Sequence, residues 1–258
     1  MTPKEFSPIE MLEKMISKWW LLFLAMLLGG LLGFAISMVQ APRYESVAQI
    51  STNIDYQVAP EIEDYMEDRA INEAGWVIIS EGVLKSVHAQ AEEEGLPITY
   101  RDVIKDFSTE RIDDLWNLRV AGENAEDAAL LANLWVGEAY AQLDTAIEHA
   151  QSANVLGVYI ASLQDCSETN NGLAICALEN TDALSEEIEE KTTLLNEELE
   201  LSKALHPAMR AALVSHAQVP TAPVFHTRGL FVLSGAALGL LFGLLYLLLR
   251  PEKGKADA

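Results

Sequence analysis

Two stretches of 21 residues, Trp19 to Val39 and Gly229 to Leu249, carry no charged side chain. At about 1.5 Å rise per residue, a helix of that length covers about 30 Å, the thickness of a bilayer's hydrocarbon core. Backbone polar groups find no water there, so each stretch is predicted to be a helix that satisfies them internally. Globular helices rarely lack charge over such a length, which argues against a pair of buried helices in a soluble core. The first stretch is too long for an ordinary signal-peptide apolar region, and no small-x-small cleavage site follows it. Two spans leave both termini on one side. Lys4, Lys14, Lys18, Arg250, Lys253 and Lys255 at the short ends favour the cytoplasm, while Arg43 and Arg228 stand at the opposite ends. Trp19, Trp20 and Tyr246 suit the membrane interface.

The 187 residues between the spans, 41–227, hold 34 acidic and 10 basic residues, a net charge of −24 against −22 for the whole chain. Such a surface repels phosphate backbones, so nucleic acid is not an expected partner. Its ordinary consequence is solubility. The segment is large enough for one or two hydrophobic cores.

Along that segment, "YESVAQIST" (Tyr44 to Thr52) has strand composition. The stretch from Pro60 to Gly95 is predicted as two helices, with Ile71, Val77, Ile78, Val83, Leu84 and Val87 at helical spacings. "LWNLRVAG" (Leu115 to Gly122) is a second strand with Trp116, Leu118 and Val120 on one face and Asn117 and Arg119 on the other. Asn124 then caps a helix of some 40 residues, striped by Ala128, Leu131, Trp135, Ala139, Leu143, Ile147 and Ala150. Gly137 and Gly157 are its expected bending points. A returning helix places Leu184, Ile188, Leu195 and Leu199 on one face. Between Ser185 and Glu200 it carries seven acids against one lysine, which read as the solvated side of a helical hairpin. A closing strand is predicted from Arg210 to Pro220, in one sheet with the first.

Three small sets of residues stand out. Nine residues separate Cys166 and Cys176, around the turn signal "TNNG". In an oxidising compartment they are expected to pair, stabilising by roughly 3 kcal/mol in the chain-entropy account; buried free thiols are the other reading. Gly235, Gly239 and Gly243 share one face of the second span, and Gly29 and Gly33 repeat the spacing in the first. Small residues at i and i+4 let helices approach closely in lipid. Pro220 and Pro223 fix φ just before the second span and deny the chain a helix there. No catalytic set, cofactor site or metal site is apparent. The five histidines are scattered, there is no H-E-x-x-H, and no phosphate-binding G-x-x-x-x-G-K-[ST] occurs. Paired carboxylates are unavoidable at this composition and say little about glycosidase chemistry.

The order of these parts resembles the Wzz-type polysaccharide co-polymerases, the chain-length determinants of surface polysaccharide synthesis. "APRYESVAQI" is similar to the family's strand after the first span. "NLRVAGENAEDAALLANLWVGEAYAQL" is similar to its strand-then-helix segment, with Ala132 and Asn133 as the Ala-Asn pair. "VPTAPVFHTRGLFVLSGAALGLLFG" is similar to its proline-rich return to the membrane, with His226 where a third proline often stands. The resemblance implies an α+β membrane protein: two transmembrane helices flanking a periplasmic α/β base with a helical-hairpin protrusion. It implies residues 1–18 in the cytoplasm, spans at 19–39 and 229–249, a periplasmic domain over 40–228 and a cytoplasmic tail at 250–258. The hairpin would run over about 124–206, with its tip near 166–176. It further implies a non-enzymatic homo-oligomeric ring in the bacterial inner membrane that sets O-antigen, capsule or exopolysaccharide length. The implied partners are further copies, a polysaccharide polymerase, the glycan and the bilayer.

Two other classes compete with that expectation. One is a two-span receptor with a periplasmic sensory domain; the other is a membrane-anchored hydrolase. The nine residues after Leu249 are too short for a kinase or a signalling output domain, so an adaptor for a separate tyrosine kinase is a variant of the main reading. A reporter fused at about residue 100 is expected to face away from the cytosol. Cytosolic activity of that fusion would overturn the two-span topology.

Overall fold

The computed structural model describes residues 16–39, 42–169, 181–224 and 226–249. It divides into two units, Tyr44–Ala222 and the pair of terminal segments Met1–Arg43 with Pro223–Ala258.

The larger unit is built on a four-stranded sheet. Its strands are β1 (Tyr44–Ile54), β2 (Phe107–Ile112), β3 (Leu115–Gly122) and β4 (Met209–Ser215), in the order β2-β3-β1-β4. All three pairings are antiparallel, with Ile50 opposite Trp116 and opposite Leu213. The first and last strands therefore lie side by side, as the sequence predicts. Alternation sets one face inward: Ser46, Ala48, Ile50, Thr52 and Ile54 on β1 and Trp116, Leu118 and Val120 on β3 are buried.

Against that face lies α5 (Ala125–Thr169), 45 residues long. Its predicted stripe is the one that packs: Ala128, Leu131, Trp135, Ala139, Leu143, Ile147 and Ala150 are all buried. Alanine lets the helix come close to the sheet, and each fully covered large apolar side chain contributes about 1.5–3 kcal/mol. Trp135, 1% exposed, donates its indole N–H to the Ile78 carbonyl at 3.1 Å and packs on Phe107 with ring centroids 4.8 Å apart. Asn124 opens the helix, its Oδ1 accepting from the Glu126 N–H at 2.8 Å. Helical assignment continues through both Gly137 and Gly157.

The two predicted helices before the sheet's second half are α2 (Asp64–Ile78) and α3 (Glu81–Glu93), and both pack on α5. Between them Ser80 acts as N-cap, accepting from the Val83 N–H. Two elements are additional to the sequence reading. One is the short helix α4 (Tyr100–Asp106), started by a capping box in which Thr99 and Asp102 each accept from the other's backbone N–H. The other is β2, which joins β3 through a two-residue turn with Asp113 at φ 55°. Aspartate tolerates that left-handed conformation better than most side chains.

The returning helix α6 (Thr181–Leu201) runs antiparallel to α5, since Tyr159 reaches Glu187 and His149 reaches Glu198. The charge run is therefore not wholly solvated. Two of its acids lie in the seam, and Leu199, expected on the packing face, is 51% exposed. The closing strand also stops early, at Ser215 instead of Pro220. Pairing of β4 with β1 shifts register between Gln49 and Ile50, and the ladder ends one pair beyond the shift, at Gln49 and Ser215.

Gly75 on α2 faces the six-membered ring of Trp116; a Cβ there would lie 2.9 Å from Cζ3 and nearer still to Cη2. The ring has little room to give, because its N–H is tied to Thr52 Oγ1 at 2.9 Å. Gly75→Ala gains about 1 kcal/mol of helix propensity but overpacks at a cost of about 1–3 kcal/mol. The expected outcome is a net loss, seen as a Tm a few degrees lower. A raised Tm would mean the contact relaxes freely.

Candidate assembly site: paired apolar helices and a clamped connection

Two helices in the second unit are long and apolar enough to cross a membrane: α1 (Trp19–Val39), and Gly229–Leu249 within α7 (His226–Leu249). Their apolar side chains point outward, with Trp19, Phe23, Leu31, Leu32, Phe242 and Leu249 all more than half exposed. That is the pattern of a helix pair whose solvent is lipid.

The helices pack on each other along the glycine faces. A Cβ on Gly29 would meet the Gly235 carbonyl oxygen and lie 2.9 Å from the Gly239 Cα. One on Gly33 would meet the Phe231 carbonyl, and one on Gly239 the Ala25 carbonyl. Gly243 is slightly looser, with its nearest neighbour, the Ala25 Cβ, at 3.0 Å. The predicted glycines of both helices thus share one seam, where backbone touches backbone and any side chain would force the pair apart. Gly30 lies beside this seam, not in it: a Cβ there would sit 3.7 Å from the Ala236 Cβ, an ordinary contact. Gly30 and Ala236 line an open apolar groove of about 400 Å³ together with Phe23 and Phe34.

The proline segment begins where β4 ends. Pro220 and Pro223 are each partly covered, and neither lies in a helix. Beyond them the Val224 N–H donates to the Arg43 carbonyl at 2.7 Å, an isolated bridge between the chain leaving α1 and the chain approaching α7. Before them, residues 216–219 lie in no helix and carry no ladder. Two side chains supply partners instead. Ser46 Oγ donates to the Gln218 carbonyl at 2.7 Å. The Asn133 amide makes two bonds to Ala217: Nδ2 donates to its carbonyl at 3.1 Å, and Oδ1 accepts its N–H at 2.8 Å. The sequence marks Asn133 only as half of a motif. Its partner, 84 residues away, could not be found from spacing.

The outward face of the sheet is polar and internally bonded. Arg119 spans Glu45 and Glu110, and the hydrogen bonds it donates, to Glu45 first and then to Glu110, hold its guanidinium above the usual range. Gln49 donates to Asn117 Oδ1 at 2.8 Å and accepts from Ser215 at 3.1 Å. Burial pushes the His206 imidazole down from its ordinary value, and its Nδ1 accepts the Ala208 N–H at 3.1 Å. Among the described residues, no group of three or more His, Cys, Asp or Glu is placed to hold a metal ion. The expected Cys166–Cys176 pairing lies outside the residues whose side chains are described.

Residues 4–90 match the family of Wzz chain length determinant proteins. The match runs through α1, β1, α2 and most of α3. No curated protein matches the chain. Among solved structures, the chain is similar to a full-length bacterial polysaccharide co-polymerase. The two are 13% identical over 94% of this chain and 96% of that one, with a TM-score of 0.37.

The seam can be probed directly. With Cys166 and Cys176 changed to serine, the pair Gly30→Cys and Ala236→Cys should crosslink within one chain, because 3.7 Å between Cβ positions suits a disulfide. Adding Gly239→Leu should lower the crosslink yield severalfold. An undiminished yield would show that the glycine contact does not hold the helices together.

Proposed function

We propose that this protein regulates the chain length of a surface polysaccharide, acting without catalysis as a homo-oligomeric scaffold beside a polysaccharide polymerase. The observation that carries the reading is the Wzz chain-length-determinant match over residues 4–90. It is supported by the architecture: one mixed α/β body whose chain is preceded and followed by a membrane-length apolar helix. In this reading the protein lies in the inner membrane with both termini in the cytoplasm and the body in the periplasm.

The physics of such a regulator needs no reacting groups. Subunits anchored in lipid present their bodies side by side, and the geometry of that array biases when a neighbouring polymerase stops elongating. The glycine seam keeps each anchor compact. The hairpin of α5 and α6 carries an excess of acid, which disfavours close association with an anionic polymer and suits a surface along which the glycan is passed instead of held.

Deletion of the gene is expected to replace a banded polysaccharide ladder on a gel with a smeared or shifted distribution, and the wild-type chain supplied in trans to restore the bands. A ladder that stays intact on deletion, together with an altered response to a periplasmic ligand, would replace this reading with a receptor.

A further inference from the structure

The chain between β4 and the proline pair lies in no helix or strand and is buried at Ala217. Ala217 is 8% exposed, so its N–H and C=O need partners inside the protein. Both are supplied by one side chain. The Asn133 amide presents an acceptor and a donor side by side, as a peptide group of a neighbouring strand would, and bonds both backbone groups at 2.8 and 3.1 Å. Ser46, 2% exposed on β1, takes the next carbonyl, that of Gln218. The sheet ladder is thus replaced at this point by two side chains reaching from the elements on either side.

The placement of Asn133 argues that the contact is what the residue is for. Asparagine is among the weaker helix formers, because its side chain competes for backbone hydrogen bonds. Here it stands mid-helix between Ala132 and Leu134, in a run otherwise made of alanine, leucine, tryptophan and valine. Ala132 and Val136 beside it are fully buried, so this turn of α5 is fixed against the core. A rigid turn of the 45-residue helix therefore grips the backbone three residues before Pro220. From there Pro220 and Pro223 each fix a φ in the segment that follows.

We propose that Asn133 is a positioning residue for length control. Its amide locks the backbone at Ala217, so that the chain entering the proline segment is held to the arm helix α5 and is not a slack connection. This rests on the length-regulator reading for its consequence, but the lock itself does not.

The test uses the full-length protein. Asn133→Leu keeps the side-chain size and removes both hydrogen bonds. Asn133→Asp keeps the acceptor for the Ala217 N–H, loses the donor and turns a carboxylate toward a carbonyl. Hydrogen exchange of the purified protein is expected to rise at least tenfold for the amides of 216–219 in Asn133→Leu and less in Asn133→Asp, with β1 and β3 unchanged. In cells, both variants are expected to reach wild-type membrane levels and to shift or broaden the polysaccharide length distribution, Asn133→Leu more than Asn133→Asp. Unchanged exchange at 216–219 in both variants would overturn the lock. Faster exchange with a wild-type length distribution would leave a structural clamp and overturn the positioning role. If Asn133→Leu fails to accumulate, Asn133→Asp carries both readouts alone under the same criteria. Should deletion of the whole gene leave the ladder intact, the length-regulator reading fails, while the exchange measurement still decides the lock.

Discussion

The pairing of β1 with β4 is the constraint on which the larger unit depends. These strands are separated by 154 intervening residues, Asp55 to Ala208, yet they share a ladder in which Ile54 faces Met209 and Ile50 faces Leu213. Without it the sheet would be β2-β3-β1 alone, with Ile50, Thr52 and Ile54 on an open edge. With it, everything between the strands becomes a closed excursion that starts and finishes at one place. The long helix can then lie across all the inward residues of β1, β3 and β4 at once, so the sheet and α5 define a single core.

The same pairing explains how the connection to α7 is held. Antiparallel register brings the chain after Ser215 alongside the start of β1, where Ser46 meets Gln218. The ladder ends at the pair Gln49 and Ser215, just past the register shift, and side chains take over. An extended segment held by side chains has its direction set by a few discrete bonds, and each can be removed without unzipping a sheet. That is a suitable construction for a joint. Prolines follow at once, and they limit what the backbone can do after the last bond.

Within the membrane-length pair the controlling fact is size. Apolar association in lipid lacks the hydrophobic driving force available in water, so close backbone approach has to supply the packing. Glycines at 29 and 33 on one helix face glycines at 235 and 239 on the other. The larger side chains of both helices are left to the outside. The two units contrast: α5 buries Leu131, Trp135 and Leu143, whereas α1 and α7 meet through glycines and expose most of their larger side chains.

The elements whose signal is local are legible in the chain's residues alone. The two uncharged runs, the stripe on α5, the alternation in β3, the Asn124 cap and the glycine register can all be read from period and composition, because each depends on residues a few positions apart. The Thr99–Asp102 capping box and the Phe107, Thr109, Arg111 alternation carried the signals for α4 and β2, but these elements are short and their patterns weak. Where distant segments meet is set by the packing of the whole fold. Nothing in the spacing shows that Asn133 meets Ala217, that Glu187 and Glu198 turn into the seam of the hairpin, or that β4 stops at Ser215. A side chain's hydrogen-bond partner is set by which elements the core brings together. That is a property of the whole packing, invisible to any window of neighbouring residues.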